Sequence, residues 1–578
     1  MVRRRRQRWR LPPVPAELIR QLSHRHQVPE LVARILLNRG LVEAEAIEAF
    51  LEPTLNHLQP PGGMRDLPVA AARLTEAVLA QEPVIVYGDY DVDGLTATAL
   101  LRHFLTGLGV PVRSYIPNRL TQGYGLHGPA LAGLAAQGRL MVTVDCGISN
   151  AAEVAQARDW GLEVIVTDHH EPPPTLPPAL AVLNPKRPDC GYAYKDLAGV
   201  GVALNLILGL RACLREAGWF RQRPEPNIRD YLDLVALGTA ADVSPLTGVN
   251  RILVSQGLRV LAESQRPGLQ ALKEAAGLPN GPISLRDVVF RLAPRLNAAG
   301  RLGQTQAALE LLLTDDWQQA RQLAQILDRL NRDRQTEQAA ILAAAEDQIR
   351  QRHFQNRPAL VLAAPGWHPG IIGIVASKLT ERYYRPVALI SLADGLGRGS
   401  ARSVEAFDLY AGLCACQAHL LQFGGHPAAA GFTIAETQVE AFREAFEEVV
   451  LTALGRDAGL PDLTLDAEVT LAQLDEEFFF HLNRLRPFGP GNPLPVLASL
   501  RTQVLDSWIV GQDHLKLKLA QNGKVMTAIA FDQAGLHPLR GSFDLALSPR
   551  ISFYQGRPQP ELHLLDLGPA EAPSGTTT

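Results

Sequence analysis

No run of eighteen apolar residues occurs anywhere in the chain, which excludes a membrane-spanning helix. Cysteine is scarce. The five residues Cys146, Cys190, Cys213, Cys414 and Cys416 are odd in number and scattered, which argues against a disulfide framework. Cys414-Ala-Cys416 is too isolated for a zinc site, so reduced thiols in a cytoplasmic protein are expected. An excess of either charge is also missing: 56 Lys+Arg against 59 Asp+Glu leave a net charge of −3. A nucleic-acid partner would therefore need a local basic groove. The first residues, Met1-Val-Arg-Arg-Arg-Arg-Gln-Arg-Trp-Arg10, lack the apolar stretch of a secretory signal. They read equally as a phosphate-binding arm or a solvated tail, and the small, polar Ala570–Thr578 reads as disordered. What the chain does have is length and a globular composition. Its 578 residues, 46% hydrophobic and 20% charged, suffice for about three to four domains.

The informative stretch is Val84-Ile-Val-Tyr-Gly-Asp-Tyr-Asp-Val-Asp-Gly-Leu95. Val84–Tyr87 is a short apolar, β-branched run after Pro83 and reads as a buried strand, with a helix expected over Leu95–Leu108. Asp89, Asp91 and Asp93 lie between them. On an extended backbone alternate residues share a side, so these carboxylates would repel one another unless a cation sits among them. A polar turn with one Asp as helix cap accounts for one of them only.

Strand and helix then alternate. Strands are expected at Val112–Ile116, Leu140–Asp145, Val164–Thr167 and Leu180–Leu183, and helices at Pro129–Gln137 and Ala151–Trp160. This is a parallel sheet covered by helices, whose ligands lie beyond the carboxyl ends of the strands. The three aspartates, Asp145, and Asp168-His169-His170 all fall at such ends. A further helix ends near Gly238, and Asp242 follows in a loop of small residues. An oxygen-rich set with imidazole suits Mn²⁺ or Mg²⁺. Two such ions about 3.5–4 Å apart can clamp the attacking and leaving oxygens of a phosphodiester.

Asp89-x-Asp91-x-Asp93-Gly94, Val144-Asp145-Cys-Gly147, Thr167-Asp168-His169-His170 and Gly238-Thr-Ala-Ala-Asp242-Val resemble, in order and rough spacing, the four motifs of the DHH phosphoesterase superfamily. Pro117-Asn-Arg-Leu-Thr-Gln-Gly-Tyr-Gly125, Arg295-Leu-Asn-Ala-Ala-Gly-Arg301 and Pro487-Phe-Gly-Pro-Gly-Asn-Pro493 narrow the resemblance to its single-strand-specific exonucleases. The resemblance implies that Asp145 bridges two ions. Asp93, His169 and Asp242 would hold one, and Asp91 with Asp89 the other. It places His170 near the non-bridging phosphate oxygens, with structural support as the competing role, and Asp168 as the group that orients an imidazole. It also turns Arg119 from a candidate surface ion pair into a candidate phosphate ligand, and Arg295 and Arg301, which flank a Gly/Ala-rich turn that permits close backbone approach, are further candidates.

From about residue 304 to 352 a long helix is expected, with Leu323, Ile326, Leu327 and Leu330 as its apolar stripe. Asn331-Arg-Asp-Arg-Gln-Thr-Glu337 is polar on every face and reads as a solvent-bridging connector between two lobes. The second lobe opens at strand Leu360–Ala363 and carries Gly397-Arg-Gly-Ser-Ala-Arg-Ser403 and Gly424-Gly-His-Pro-Ala-Ala-Ala-Gly431, which resemble the DHH-associated (DHHA1) substrate domain. Ser400, Arg402, Gly424, Gly425 and His426 are candidates for holding a terminal phosphate; a core histidine and tight turns are the competing readings. The strict alternation of Asp513-His-Leu-Lys-Leu-Lys-Leu519, joined through Asn522-Gly523 to Lys524–Ala530, reads as a hairpin in a small barrel. The resemblance implies an OB-fold, with Trp508, Lys516, Lys518 and Tyr554 as candidates for touching the strand.

The expected organisation is α/β: an N-terminal helical segment (1–60), a parallel-sheet DHH domain (61–300), a connecting helix (301–357), a DHHA1-like domain (358–455) and an OB-like β-barrel (456–568). The expected activity, with direction and substrate taken from the resemblance, is 5′-to-3′ exonucleolysis of single-stranded DNA to mononucleotides in repair and recombination. A cytoplasmic monomer using two Mn²⁺ or Mg²⁺ ions is expected, alongside a single-strand-binding protein and a helicase. Three alternatives are open: a phosphodiesterase of short oligonucleotides or cyclic dinucleotides, a scaffold like the degenerate DHH subunit of the eukaryotic replicative helicase, and a strand-binding module alone.

Overall fold

A computed structural model describes residues 7–278, 281–455, 461–554 and 557–570. The arginines at positions 3–6 and the tail from 571 lie outside the described residues. The first lobe is built on a five-stranded, all-parallel sheet. Its order is Val112–Tyr115, Val84–Gly88, Leu140–Val144, Glu163–Thr167, Ala181–Leu183. Every residue of Val84–Gly88 and Leu140–Val144 is buried, because helices cover both faces, and this is why these strands read as unbroken apolar runs.

Two helix boundaries differ from expectation. The helix after the first strand is Val92–Gly107, three residues longer at its start, because the Asp91 carboxylate accepts the N–H groups of Asp93 (2.9 Å) and Gly94 (3.1 Å) and caps it. Asp93 therefore sits in the first helical turn rather than on an extended strand end. Alternation along a strand is not what gathers the three carboxylates. The fourth-motif helix also runs on, over Leu232–Ala241, leaving Asp242 at its C-terminal cap.

The second lobe has a mixed five-stranded sheet ordered Gln422–His426, Ala429–Ala435, Leu396–Arg402, Val387–Ala393, Leu360–Pro365. A helix over Trp317–Gln351 joins the lobes. Its buried stripe uses Ala320 and Ala324 beside Leu323, Leu327 and Leu330, and Ile326 is exposed. The stretch expected to be solvated on all sides is not: Asn331 is buried, as is Gln338 just beyond it.

Strands Leu497–Val510, His514–Gln521, Lys524–Ala530, Gly541–Tyr554 and Arg557–Pro569 form the C-terminal barrel, closed by pairing of the first with the fourth. The N-terminal helices Ala16–His26, Glu30–Asn38 and Ala44–Leu51 share its core, where Ile19, Leu36 and Ile47 join Leu471, Phe478 and Leu515. Strand Arg8–Arg10 pairs with Asp462–Thr464, and both Arg8 and Arg10 engage the Asp462 carboxylate, so this part of the basic segment is not a free arm. Removing everything after Asp462 would uncover the N-terminal helices.

The barrel lobe is fastened to the first lobe through Arg251, 1% exposed, whose guanidinium donates to the carbonyls of Phe50, Arg484, Leu485, Arg486 and Pro487. The same Pro487–Pro493 segment takes the Leu246 N–H on the Pro490 carbonyl (2.7 Å), four residues after Asp242. All five cysteines are free. Among the described residues no helix is long and apolar enough to cross a membrane.

Candidate metal centre and nucleic-acid interface

The carboxyl ends of three adjacent parallel strands deliver Asp89, Asp145 and Asp168-His169-His170 to one edge. The helix following the first strand adds Asp91 and Asp93. The Asp93 carboxylate accepts the N–H groups of Gly199 (2.6 Å) and Val200 (2.9 Å) at the start of helix Gly199–Glu216. There the helix dipole and free amides favour an anion. Gly199 has to be glycine, since a Cβ there would meet the Asp145 side chain at 2.7 Å.

Asp145 adopts φ +60°, an uncommon conformation for a residue other than glycine, though Asp and Asn enter it more readily than most. His169 Nε2 lies 3.1 Å from Asp145 Oδ1, 3.8 Å from Asp93 and 3.9 Å from Asp242. Asp93, His169 and Asp242 form one group of potential ligands, and Asp89, Asp91 and Asp145 another. A third, Asp145, His169 and His170, shares a residue with each. Asp89 Oδ1, Asp145 Oδ1 and His169 Nε2 are buried without a hydrogen-bond partner among the described residues. Converging, unpartnered buried acceptors of this kind fit divalent cations, and the oxygen-rich donor set fits Mn²⁺ or Mg²⁺.

The electrostatics agree. Burial, reinforced by neighbouring carboxylates, holds Asp89, Asp93 and Asp145 well above the ordinary carboxylate range, and burial also raises Asp242. Burial lowers His169. Burial alone would lower His170 as well, but its hydrogen bond to Asp168 (2.8 Å), together with the negative charges of Asp168, Asp242 and Asp91, outweighs that and lifts it to about 9. Asp168 stays below its ordinary value although buried, because it accepts from His170 and from the backbone of Ile148, His169 and His170.

These shifts set the pH dependence of stability. Carboxylates whose pKa rises on folding stabilise the fold fully below their ordinary value of 3.8, and that contribution is lost as pH rises through the folded values. His169, lowered on folding, acts in the opposite sense up to its ordinary value of 6.5, and Asp168 does so only below 3.8, but the raised carboxylates outnumber them. The metal-free protein should therefore melt at progressively lower temperature from about pH 5 to pH 8. Mn²⁺ should restore more stability at the upper end, where its ligands are ionised. Melting curves with and without Mn²⁺ across that range check both.

The second component is cationic. Arg119 lies 5.0 Å over the ring of Tyr90, the residue between Asp89 and Asp91, so the wall begins beside the ligands. Arg119 lines a cleft of about 360 Å³ between the lobes, together with Gly370, Arg398, Gln422, Phe423 and Gly424. Arg301 of the first lobe reaches the second, donating to the carbonyl of Gly370 in the cleft wall at 3.1 Å. Arg402 donates to Ser400 Oγ at 3.1 Å and lies within the electrostatic reach of Arg119. Burial lowers Arg301 to about 10 and also lowers Arg402. Among the described residues neither pairs with a carboxylate.

Other expectations fare differently. Arg295 is committed elsewhere, to Asp328 (2.9 Å) and to the carbonyls of Arg291 and Ala275, so its fork is not available to a phosphate. His426 is an exposed residue at a hairpin end, not a core histidine, and neither it nor Gly425 lines the cleft. On the barrel exterior Trp508 pairs with Lys516, and Asp506 with Lys518. The side chain of Tyr554 lies outside the described residues.

The sequence reading missed Tyr124, whose hydroxyl sits 3.0 Å from His170 Nδ1 and donates to the Asp145 carbonyl. It also missed Asn297, which accepts the Val92 N–H (3.2 Å), and Arg398, which crosses to the Leu120 carbonyl. Tyr124 and Asn297 lie inside motifs that carried the resemblance, which was the available signal.

Comparison with known proteins gives a consistent picture. The family described as "DHH family, N-terminal domain" matches residues 83–239, the DHHA1 domain 356–452 and the RecJ OB domain 465–566. The chain is 34% identical over 574 residues to the single-stranded-DNA-specific exonuclease RecJ of Bacillus subtilis, covering 98% of this chain and 71% of that one. It is 37% identical over 563 residues to the exonuclease of the same name from Escherichia coli, covering 93% and 95%. Among solved structures, RecJ in complex with Mn²⁺ from Thermus thermophilus is 34% identical with a TM-score of 0.84, covering 98% of this chain and 80% of that chain.

Proposed function

Because the chain belongs to the RecJ family of single-stranded-DNA-specific exonucleases, we propose that it removes mononucleotides from the 5′ end of single-stranded DNA. The observation that carries this reading is one carboxylate, Asp145, common to two groups of metal ligands that open onto a cleft of arginines without carboxylate partners. Two divalent ions, when bound, would supply Lewis acidity and an activated water for in-line displacement at phosphorus. Asp93, His169 and Asp242 would hold one ion and Asp89 and Asp91 the other, with the Asp145 carboxylate available to both. His170, kept protonated at neutral pH by Asp168, places a positive charge and a donor beside the non-bridging oxygens. Arg119, Ser400 and Arg402 receive a terminal phosphate, and their fixed separation from the metal ligands sets the cut near one nucleotide from the end.

A strand must be opened before such an enzyme can use it, which makes a helicase and a single-strand-binding protein the expected companions of a cytoplasmic monomer acting in repair and recombination. In the presence of Mn²⁺, a linear 5′-phosphorylated single strand should be hydrolysed at least about tenfold faster than the same sequence as a duplex, as a closed circle, or as a cyclic dinucleotide. Faster turnover of the dinucleotide would instead favour a small-substrate phosphodiesterase.

A further inference from the structure

The inward face of the connecting helix carries Leu327, Leu330, Asn331, Arg334, Gln338, Ile341 and Ala345, at spacings of three and four residues. Leu327 and Leu330 belong to the core of the first lobe, and Ile341 and Ala345 to that of the second. Between these anchors the same face crosses the gap between lobes, and there it is polar and cationic. Asn331 and Gln338 are 4% and 7% exposed. Both are turned onto one side chain: Arg334 donates to Asn331 Oδ1 at 2.6 Å and to Gln338 Oε1 at 2.8 Å. Two buried amides thus fix a half-buried guanidinium without neutralising it.

Arg334 does not stand alone. Arg301, which donates to Gly370 in the cleft wall, feels the positive charges of Arg119, Arg334 and Arg402 together, against the opposing charge of Asp91. Among the described residues none of these four makes an ion pair with a carboxylate, although many other arginines of the chain do. Crowding like charges around a cleft is costly unless an anion enters it. An amide at each side holds the guanidinium in place, so that its uncompensated positive charge is presented at a fixed position, where a phosphate can meet it.

We propose that Arg334 is a phosphate-binding residue of the cleft, contributed by the connecting helix, which takes a backbone phosphate of the bound strand. The proposal rests on the reading of the site as a single-strand nuclease. It also gives the helix a role beyond spacing the lobes, since the anion would touch both lobes and the element that joins them.

The test uses the full chain with Ca²⁺ in place of Mn²⁺ and a fluorescent 5′-hydroxyl single strand titrated at several salt concentrations, so that only backbone phosphates are read. Arg334→Gln should bind about tenfold more weakly, with the slope of log affinity against log salt smaller by about 0.7, the value for one fewer neutralised phosphate on a single strand. Arg334→Lys, which keeps the charge but loses the fork, should retain the wild-type slope and bind within about threefold of it. A Gln variant with the wild-type slope, or a Lys variant as weak as Gln, would overturn the assignment. If Gln does not fold, as judged by its melting curve, Arg334→Met replaces it in the comparison with Lys. Failure of the wild-type protein itself to bind the strand would overturn the nuclease reading, which this design separates from the role of Arg334.

Discussion

Asp145→Asn is expected to lower Mn²⁺-dependent turnover of a short single strand by at least about a thousandfold while leaving the fold intact. Asp145 belongs to the Asp89 and Asp91 group and, through its Oδ1 3.1 Å from His169 Nε2, also reaches the group of Asp93, His169 and Asp242, so it is the carboxylate placed to serve both sides. Asparagine is the informative replacement. It keeps the shape of the side chain and tolerates the φ of +60° held here, where alanine would add backbone strain. The substitution also removes a carboxylate that is crowded by Asp89, Asp91, Asp93 and Asp168. The metal-free variant should then melt no lower than the metal-free wild type, whereas the rise in melting temperature on adding Mn²⁺ should largely disappear. Single-turnover cleavage with Mn²⁺ measures the first effect and thermal melting the second. Cleavage within about tenfold of wild type would remove Asp145 from the bridging position.

The next largest effect is expected at Arg402. Its half-buried guanidinium lies on the sheet of the second lobe, held by Ser400 Oγ and the Ala401 carbonyl, and partial burial depresses its pKa with no carboxylate to compensate. A terminal phosphate would supply that missing charge, and a charged hydrogen bond of this kind contributes about 1.5–3 kcal/mol. Arg402→Ala should therefore cut the preference for a 5′-phosphate over a 5′-hydroxyl strand by about ten- to a hundredfold. Affinity for Mn²⁺ should be unchanged. The comparison is kcat/KM for both strands in both proteins, and an unchanged ratio would mean that Arg402 does not read the phosphate.

The sheet was legible in the sequence because its strands are buried on both faces, so Val84–Tyr87 and Leu140–Val144 are predominantly apolar, and an aspartate follows each strand. The acidic and imidazole groups were legible for the same reason: they break an apolar pattern where a parallel sheet presents its ligand edge. How Asp91 and Asp93 are aimed was not legible. It depends on which of the two caps the helix and on two N–H groups about a hundred residues away, at Gly199 and Val200.

Arg295 and Arg301 look alike in the sequence, six residues apart in one motif. Only the fold shows that Asp328 takes up the first while the second reaches Gly370 in the other lobe. Periodicity also misread the middle of the connecting helix. Asn331, Arg334 and Gln338 are polar, yet they are packed inward, because what they face is a cleft suited to an anion rather than an apolar core. Nor could any local pattern place the first fifty residues against a barrel that begins more than four hundred positions later.

The most direct measurement is the fate of the two ends of one strand. A linear single strand labelled at its 5′ end in one sample and at its 3′ end in another is incubated with the protein and Mn²⁺, and the products are resolved by length over time. Cutting by two ions beside a wall that receives the 5′ phosphate should release the 5′ label from the first moments as a mononucleotide. The 3′ label should remain on a ladder that shortens one nucleotide at a time, and no product should form when Mn²⁺ is withheld. Early release of the 3′ label, or internal fragments from both samples, would contradict the account.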